Sequence, residues 1–252
     1  MTRSTPRQER KASLASWRIA VMAFFGGLGG GVVFPILPTL GLRMGLSALM
    51  IGVILAANRI VRIGVNPITG TLVDRFGGRG VIASGLFIEG VGTLGYIAAL
   101  HFAAPAAWFL AGRIVWGAGS SLLFVGAVAA VLAASNGANR GRFVARARSA
   151  ISLGVPGGLV LGGLVTDFFS ADAAFITALV LSVGTGFAAL VGIPTPPAVH
   201  PSGADPRPSL RGLLGVLRQR RLAGIWFYAA LVSFSVQGLL LATLVLLVDQ
   251  RQ

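Results

Sequence analysis

Long runs of apolar residues, separated by short charged or Gly- and Pro-rich stretches, set the pattern of this chain. Seven runs are long enough to cross a bilayer, at about residues 17–42, 48–70, 80–100, 106–133, 149–166, 173–193 and 222–247. A helix needs roughly 20 mostly apolar residues to do so. Backbone amides in lipid must find partners within the segment, and the alternation typical of barrel strands is absent. The pattern therefore predicts an all-α polytopic membrane protein with about seven transmembrane helices.

Composition supports lipid as the solvent of this chain. Hydrophobic residues make up 55% of it and charged residues 11%, and the mean hydropathy is +0.83. Soluble domains carry about 25% charged residues. Because there is no cysteine, disulfides, thiol nucleophiles and cysteine-based metal sites are excluded.

The basic residues predict an orientation rather than a nucleic-acid partner. Sixteen of the 21 Lys and Arg residues fall within 3–18, 75–79, 140–148 and 207–221, which all lie on one side of the predicted spans. The opposite side carries two, Arg43 and Arg251. Since cytoplasmic loops are enriched in Lys and Arg, we expect a cytoplasmic N-terminus in a bacterial-type inner membrane and no binding of nucleic acid.

Four regions follow from this topology. Residues 1–16 form a basic cytoplasmic tail, 17–193 a six-helix bundle, 194–221 a central cytoplasmic loop, and 222–252 a seventh span. The first apolar run is too long for a signal peptide and lacks a cleavage site, so it is expected to be retained. Within the loop, the Leu rhythm from Ser209 onwards predicts an interfacial helix flanked by basic residues.

A charged stretch between the second and third spans carries a specific pattern. It reads GTLVDRFGGR, with Gly70, Leu72, Asp74, Arg75, Gly77 and Arg79 in the spacing G-x-L-x-D-R-x-G-x-R. Pattern and position closely resemble the signature loop of the major facilitator superfamily of transporters. The glycines permit a tight reversal.

Three later segments extend the resemblance. Span 1 ends in FPILP, similar to the first helix of many members, and span 4 carries Arg113, Gly117 and Gly119 in the family's R-x-x-x-G-x-G. Span 5 resembles the antiporter motif G-x-x-x-G-P-x-x-G-G. It retains Gly154, Gly158, Gly162 and Gly163, whereas Leu159 replaces the proline and Pro156 lies three residues earlier.

The resemblance implies a fold and a function. Family members have twelve helices in two six-helix bundles, so this chain is expected to supply the first bundle, the loop and helix 7, and to end early. In relatives the loop carboxylate, here Asp74, contacts the second bundle and stabilises one gating state. The antiporter-like motif favours export of a small organic compound by alternating access. Many proton-coupled exporters have an acid in helix 1, but this helix has none.

Ionisable residues within the spans are candidates for the pathway of protons or substrate. A charge at the middle of a bilayer costs about 2.5–3.5 kcal/mol, so such residues usually have a function. Glu89, Arg59 and Arg62 lie within roughly 5 Å of one depth by helical rise, which allows Glu89 to pair with either arginine. Arg113 lies nearer the outer face, where a long side chain can snorkel. A permanent salt bridge is the alternative to a pathway facing the central cavity.

Two asparagines, Asn58 and Asn66, lie on the same helix as Arg59 and Arg62. They either line the cavity or form hydrogen bonds between helices. The glycine clusters favour close helix packing over phosphate binding, because they lie inside a span.

Other functional classes fit less well. A retinal protein needs a lysine in its last helix, but the single lysine is Lys11. His101 and His200 are far apart in the sequence and no catalytic or metal-binding group is visible, so we expect no enzyme, no metal and no cofactor. Two hypotheses remain: a secondary transporter, with proton coupling left open, and a truncated or half-transporter chain that needs a second bundle or partner chain.

Overall fold

Five long helices form the part of the chain that the computed structural model describes, residues 6–135 and 137–194 together with residues 224, 227, 228, 231 and 232. The helices are α1 (Pro6–Arg43), α2 (Ala48–His101), α3 (Pro105–Ala133), α4 (Arg140–Phe168) and α5 (Ala171–Gly192). Each is long and apolar enough to cross a membrane, and the described residues contain no strand. The all-α prediction is confirmed.

The chain divides into two units, residues 1–200 and 201–252. Most of the predicted central loop and seventh span lies outside the described residues. The five described residues of the second unit are helical. Helices α1 to α5 all lie within the first unit.

Helix α2 contains both the second and the third predicted span. We expected a charged turn over residues 70–79, but the helix continues on both sides of a single non-helical residue, Gly77, with φ 77° and ψ 152°. This mirror-image extended conformation is open essentially to glycine alone. The turn prediction was therefore too long, because one glycine supplies the whole break. We call residues 48–76 the first arm of α2 and residues 78–101 the second arm.

Contacts with α3 show that the two arms run in opposite directions. Along the first arm, Asn58 lies against Gly117 and Thr69 against Gly126, so this arm is parallel to α3. Along the second arm the order is reversed, from Gly78 against Ala130 to Gly95 against Gly112. Two spans of opposite direction therefore flank α3, as the predicted topology requires.

Two helices begin earlier than the sequence predicted. Helix α1 includes the described part of the basic tail from Pro6, and α4 includes the basic run 140–148, which we had assigned to a loop. A helix satisfies its own backbone hydrogen bonds, so it can continue past the hydrocarbon core into the region where its arginines meet water and headgroups. The hydropathy pattern marks the edges of the hydrocarbon core and not the ends of the helices.

Helices α1 and α4 are parallel and contact each other through glycines. A Cβ atom at Gly154, Gly158 or Gly162 would collide with a carbonyl oxygen of α1, namely that of Phe24, Leu28 and Val32 in turn. These three glycines of the antiporter-like motif are buried. Gly163, its fourth glycine, has nothing within 4 Å of the corresponding position, and Pro156 is exposed. One face of the motif therefore forms the α1–α4 contact.

Because Gly158 is crowded and Gly163 is open, the same substitution at the two positions should have opposite effects on stability. Gly158→Ala should lower thermal stability in detergent, since forcing a methyl group into a close contact typically costs about 1–3 kcal/mol. Gly163→Ala is the matched control and should leave stability unchanged or raise it, because alanine is the better helix former by about 1 kcal/mol. Equal melting temperatures for the two variants would contradict the packing described here.

Candidate functional site

Two charged side chains are enclosed between the helices of the first unit. Glu89 on the second arm is 0% exposed and Arg113 on α3 is 1% exposed. We expected both to face a central cavity. Instead, neighbouring helices surround them, and this burial makes each of them costly unless it has a role.

Glu89 is positioned by a close approach of the second arm to α3. A Cβ atom on Gly119 would lie 2.6 Å from the Glu89 backbone nitrogen and 2.9 Å from its Cγ. Both carboxyl oxygens are buried and lack a hydrogen-bond partner among the described residues. The Glu89 backbone carbonyl accepts a hydrogen bond from the Thr93 hydroxyl, at 2.9 Å. The side chain is thus held in place by packing while its polar atoms remain unpaired.

Arg59 and Arg62, on the first arm, are the arginines at a depth similar to that of Glu89. Even so, the described residues contain no salt bridge between Glu89 and any arginine, whereas His101 and Asp172 do form an ion pair, at 2.7 Å. The Arg62 guanidinium lies over the Phe124 ring of α3, with Cζ 5.6 Å from the centroid, and Arg59 is exposed. The pair of Glu89 with Arg59 or Arg62 that the depth estimate allowed is therefore not formed in the described part of the chain, because that estimate did not include the direction of either side chain.

Arg113 lies inside a cage of aromatic rings. Its Cζ is 5.0 Å from the ring centroid of Phe34, 5.8 Å from that of Tyr96 and 5.9 Å from that of Trp116. Cations within about 6 Å of a ring face are attracted by its quadrupole, the more so when water is excluded. The snorkelling prediction was wrong, because the aromatic rings stabilise the charge inside the bundle. Its Nε and Nη1 atoms have no hydrogen-bond partner among the described residues.

The two asparagines of the first arm differ in their hydrogen bonds. Asn66 accepts a hydrogen bond from the Ser121 hydroxyl through Oδ1 and so joins the first arm to α3. Asn58 is 6% exposed, and its Nδ2 has no partner among the described residues. Of our two interpretations, the hydrogen bond between helices holds for Asn66.

The signature-loop residues lie around the break in α2. Gly70 and Leu72 are part of the first arm, Asp74 and Arg75 are exposed, and Arg79 is half-buried on the second arm. The structure shows the Asp74 carboxylate at the surface of the unit, where it is open to contact.

Two aromatic residues of the site and one buried hydroxyl elsewhere in the unit were not singled out from the sequence. Tyr96 and Trp116 surround Arg113, and the buried Ser182 hydroxyl on α5 lacks a partner in the described part of the chain. Trp116 lies within the R-x-x-x-G-x-G segment, and this was the available signal. Nothing in the sequence distinguishes Tyr96 or Ser182 from ordinary core residues.

Known proteins match most of the chain. The family model described as Major Facilitator Superfamily matches residues 19–252. The tetracycline resistance protein, class C, of Escherichia coli is 32% identical over 212 residues, which cover 82% of this chain and 50% of that protein. Multidrug resistance protein 2 of Bacillus subtilis is 30% identical over 166 residues, 64% of this chain and 40% of that protein.

A third relative has a narrower overlap. The bacillibactin exporter of Bacillus subtilis is 32% identical over 95 residues, 37% of this chain and 24% of the exporter. The chain thus spans half or less of the length of these relatives.

The unpaired state of Glu89 leads to a test on stability. Removing one partner of a buried salt bridge costs about 3–5 kcal/mol, because the other charge is left uncompensated. Since Glu89 makes no such bridge here, Glu89→Gln should melt within a few degrees of the wild type in detergent. A large loss of thermal stability would show that the carboxylate has a permanent ionic partner.

Proposed function

Because the chain belongs to the major facilitator superfamily, we propose that it works in a secondary transporter that exports small organic compounds across the cytoplasmic membrane by alternating access. The family is one of transporters rather than enzymes, and the chain is a multi-pass membrane protein. Relatives named for multidrug resistance, tetracycline resistance and bacillibactin export support the direction and the substrate class. The distribution of Lys and Arg supports a cytoplasmic N-terminus.

Glu89 is the residue we propose to carry a coupled proton. The observation behind this is a fully buried carboxyl group with both oxygens unpaired. A neutral carboxylic acid is tolerated in such a place far better than a carboxylate. Glu89 would therefore bind a proton in one state of the transport cycle and release it when the access changes.

Arg62 is the side chain that would move when Glu89 gains or loses that proton. When Glu89 is neutral, the guanidinium is stabilised by the Phe124 ring. When Glu89 is charged, the attraction between opposite charges in a low-dielectric interior is far stronger than a contact with a ring. Losing the proton would thus pull Arg62 from α3 toward Glu89, and would move the first arm against the second.

The other candidates have separate roles in this proposal. Arg59, which is exposed, would face the path of the substrate, while the buried Asn58, Asn66 and the caged Arg113 would stabilise the bundle around it. Asp74 would meet the second bundle and favour one gating state. The α1–α4 glycine contact would be the surface along which the two helices shift.

The two-bundle mechanism decides how the protein should be assayed. The described residues supply one bundle, and the chain spans half or less of the relatives named above. We infer that transport requires a second bundle, either in the same polypeptide or in a partner chain. The intact mass and oligomeric state of the protein made by its own host distinguish these two forms, and the form found should be used in transport assays.

The proposal predicts drug accumulation in inside-out membrane vesicles. Acidifying the vesicle interior should drive uptake of tetracycline or ethidium, and an uncoupler should abolish it. Glu89→Gln should reduce pH-driven uptake to the level of vesicles without the protein, because glutamine cannot release a proton. Asp167→Asn, which removes an exposed carboxylate, is the matched control and should transport normally. Uncoupler-sensitive uptake by Glu89→Gln would refute the role of Glu89, and no uptake of any drug by the wild type would refute export.

A further inference from the structure

A strip of apolar residues on α1 is flanked by two grooves. Trp17, Val21 and Phe25 are 54%, 41% and 40% exposed and follow one another at helical spacing. On one side, α1 and α4 enclose a groove of about 440 Å³ whose walls include Phe24 and Leu153. On the other side, α1 and α5 enclose a groove of about 300 Å³. Val21 and Phe25 line both, so the two grooves run side by side along α1.

The walls of both grooves are almost entirely apolar, but the end near the start of α1 is cationic. Arg146 lines the larger groove together with the hydroxyl-bearing Ser149, one turn further along α4. Arg18 lies next to Trp17 and donates a hydrogen bond from Nη1 to the Gly192 carbonyl of α5, at 3.1 Å. Arg18 is thereby fixed near the end of α5, whose preceding turn lines the smaller groove. Each groove therefore has an arginine near the same end.

Arg146 is fixed in a position suited to an anion. Its Nη1 donates to the Ser16 hydroxyl at 2.5 Å and to the Ser13 carbonyl at 3.4 Å, and its Cζ lies 4.2 Å from the Trp17 ring centroid. Both hydrogen bonds within the described residues use Nη1, so the donors on Nε and Nη2 remain for another acceptor. Arg142 lies one turn earlier on α4. Like charges at this spacing repel each other, and an anion would relieve the repulsion.

We propose that this surface binds one anionic phospholipid, with its phosphate on Arg146 and Arg18 and its two acyl chains in the two grooves on either side of Val21 and Phe25. Two parallel apolar grooves, each with an arginine near the same end, match the shape and charge of a two-chain lipid. A basic cluster at the membrane surface attracts anionic headgroups. Under the proposed orientation the lipid belongs to the cytoplasmic leaflet, but the site itself does not depend on that orientation or on transport.

Native mass spectrometry of the detergent-purified protein, at the length its host makes, tests this site. The protein is titrated with dioleoyl phosphatidylglycerol or with dioleoyl phosphatidylcholine, which differ only in the headgroup. We expect one phosphatidylglycerol to be retained in preference to phosphatidylcholine. Arg146→Gln should weaken that retention about fivefold, the contribution of one basic residue at an anionic surface. It should weaken retention of phosphatidylcholine less, because the choline cation already offsets the charge of the phosphate in that lipid.

Two further variants separate the proposed site from general charge effects. Arg148→Gln removes an exposed charge from the same helix outside the groove lining and should bind like the wild type. Val21→Trp, at an exposed position shared by both grooves, should weaken retention of both lipids by filling the space for the chains. Equal retention of the two lipids by the wild type, or equal losses in Arg146→Gln and Arg148→Gln, would overturn the proposal. Displacement of phosphatidylglycerol by inorganic phosphate alone would also overturn it.

Discussion

Close contact between helix backbones at glycines is the constraint on which the rest of this structure depends. Helices in lipid gain nothing from hiding apolar surface from one another, so they associate through van der Waals contact and hydrogen bonds. Here α4 meets α1 through Gly154, Gly158 and Gly162, and the second arm of α2 meets α3 through Gly92 and Gly119, among others. Two tightly packed helix pairs result, and Glu89 lies within the contact of the second of them.

The position of Glu89 follows from that packing. Because Gly119 has no side chain, the second arm lies close enough to α3 for the carboxyl group to be sealed from the surface. Arg113 is sealed in the same way, with aromatic rings around its charge. We propose that Arg62, whose guanidinium lies over the Phe124 ring, responds when this unpaired acid gains or loses a proton. In that proposal the response would reach the surface through the first arm of α2, which also carries the exposed Arg59.

The sequence was sufficient to predict the membrane spans but not the contacts between side chains, and the difference has physical reasons. Hydropathy located the membrane spans among the described residues. Each span must satisfy the cost of placing polar groups in lipid by itself, so each one is visible in its own stretch of sequence. Counting residues placed Glu89 and Arg62 at similar depth, but depth does not set the rotation of a helix, and the predicted ion pair is absent. The cage around Arg113 combines Phe34, Tyr96 and Trp116 from three segments of the chain. The sequence alone could not show that Gly77 is the residue that breaks α2, because the neighbouring glycines could also have formed the turn.

The central claim is that the buried Glu89 carboxyl binds the proton that is exchanged for substrate. Its most direct test is the number of protons released when a transported drug binds to detergent-solubilised protein in unbuffered solution, followed with a pH-sensitive dye. The account predicts release of about one proton per protein, as expected for a single carboxyl group, and no release from Glu89→Gln. The same release from both proteins, or none from the wild type, would contradict it.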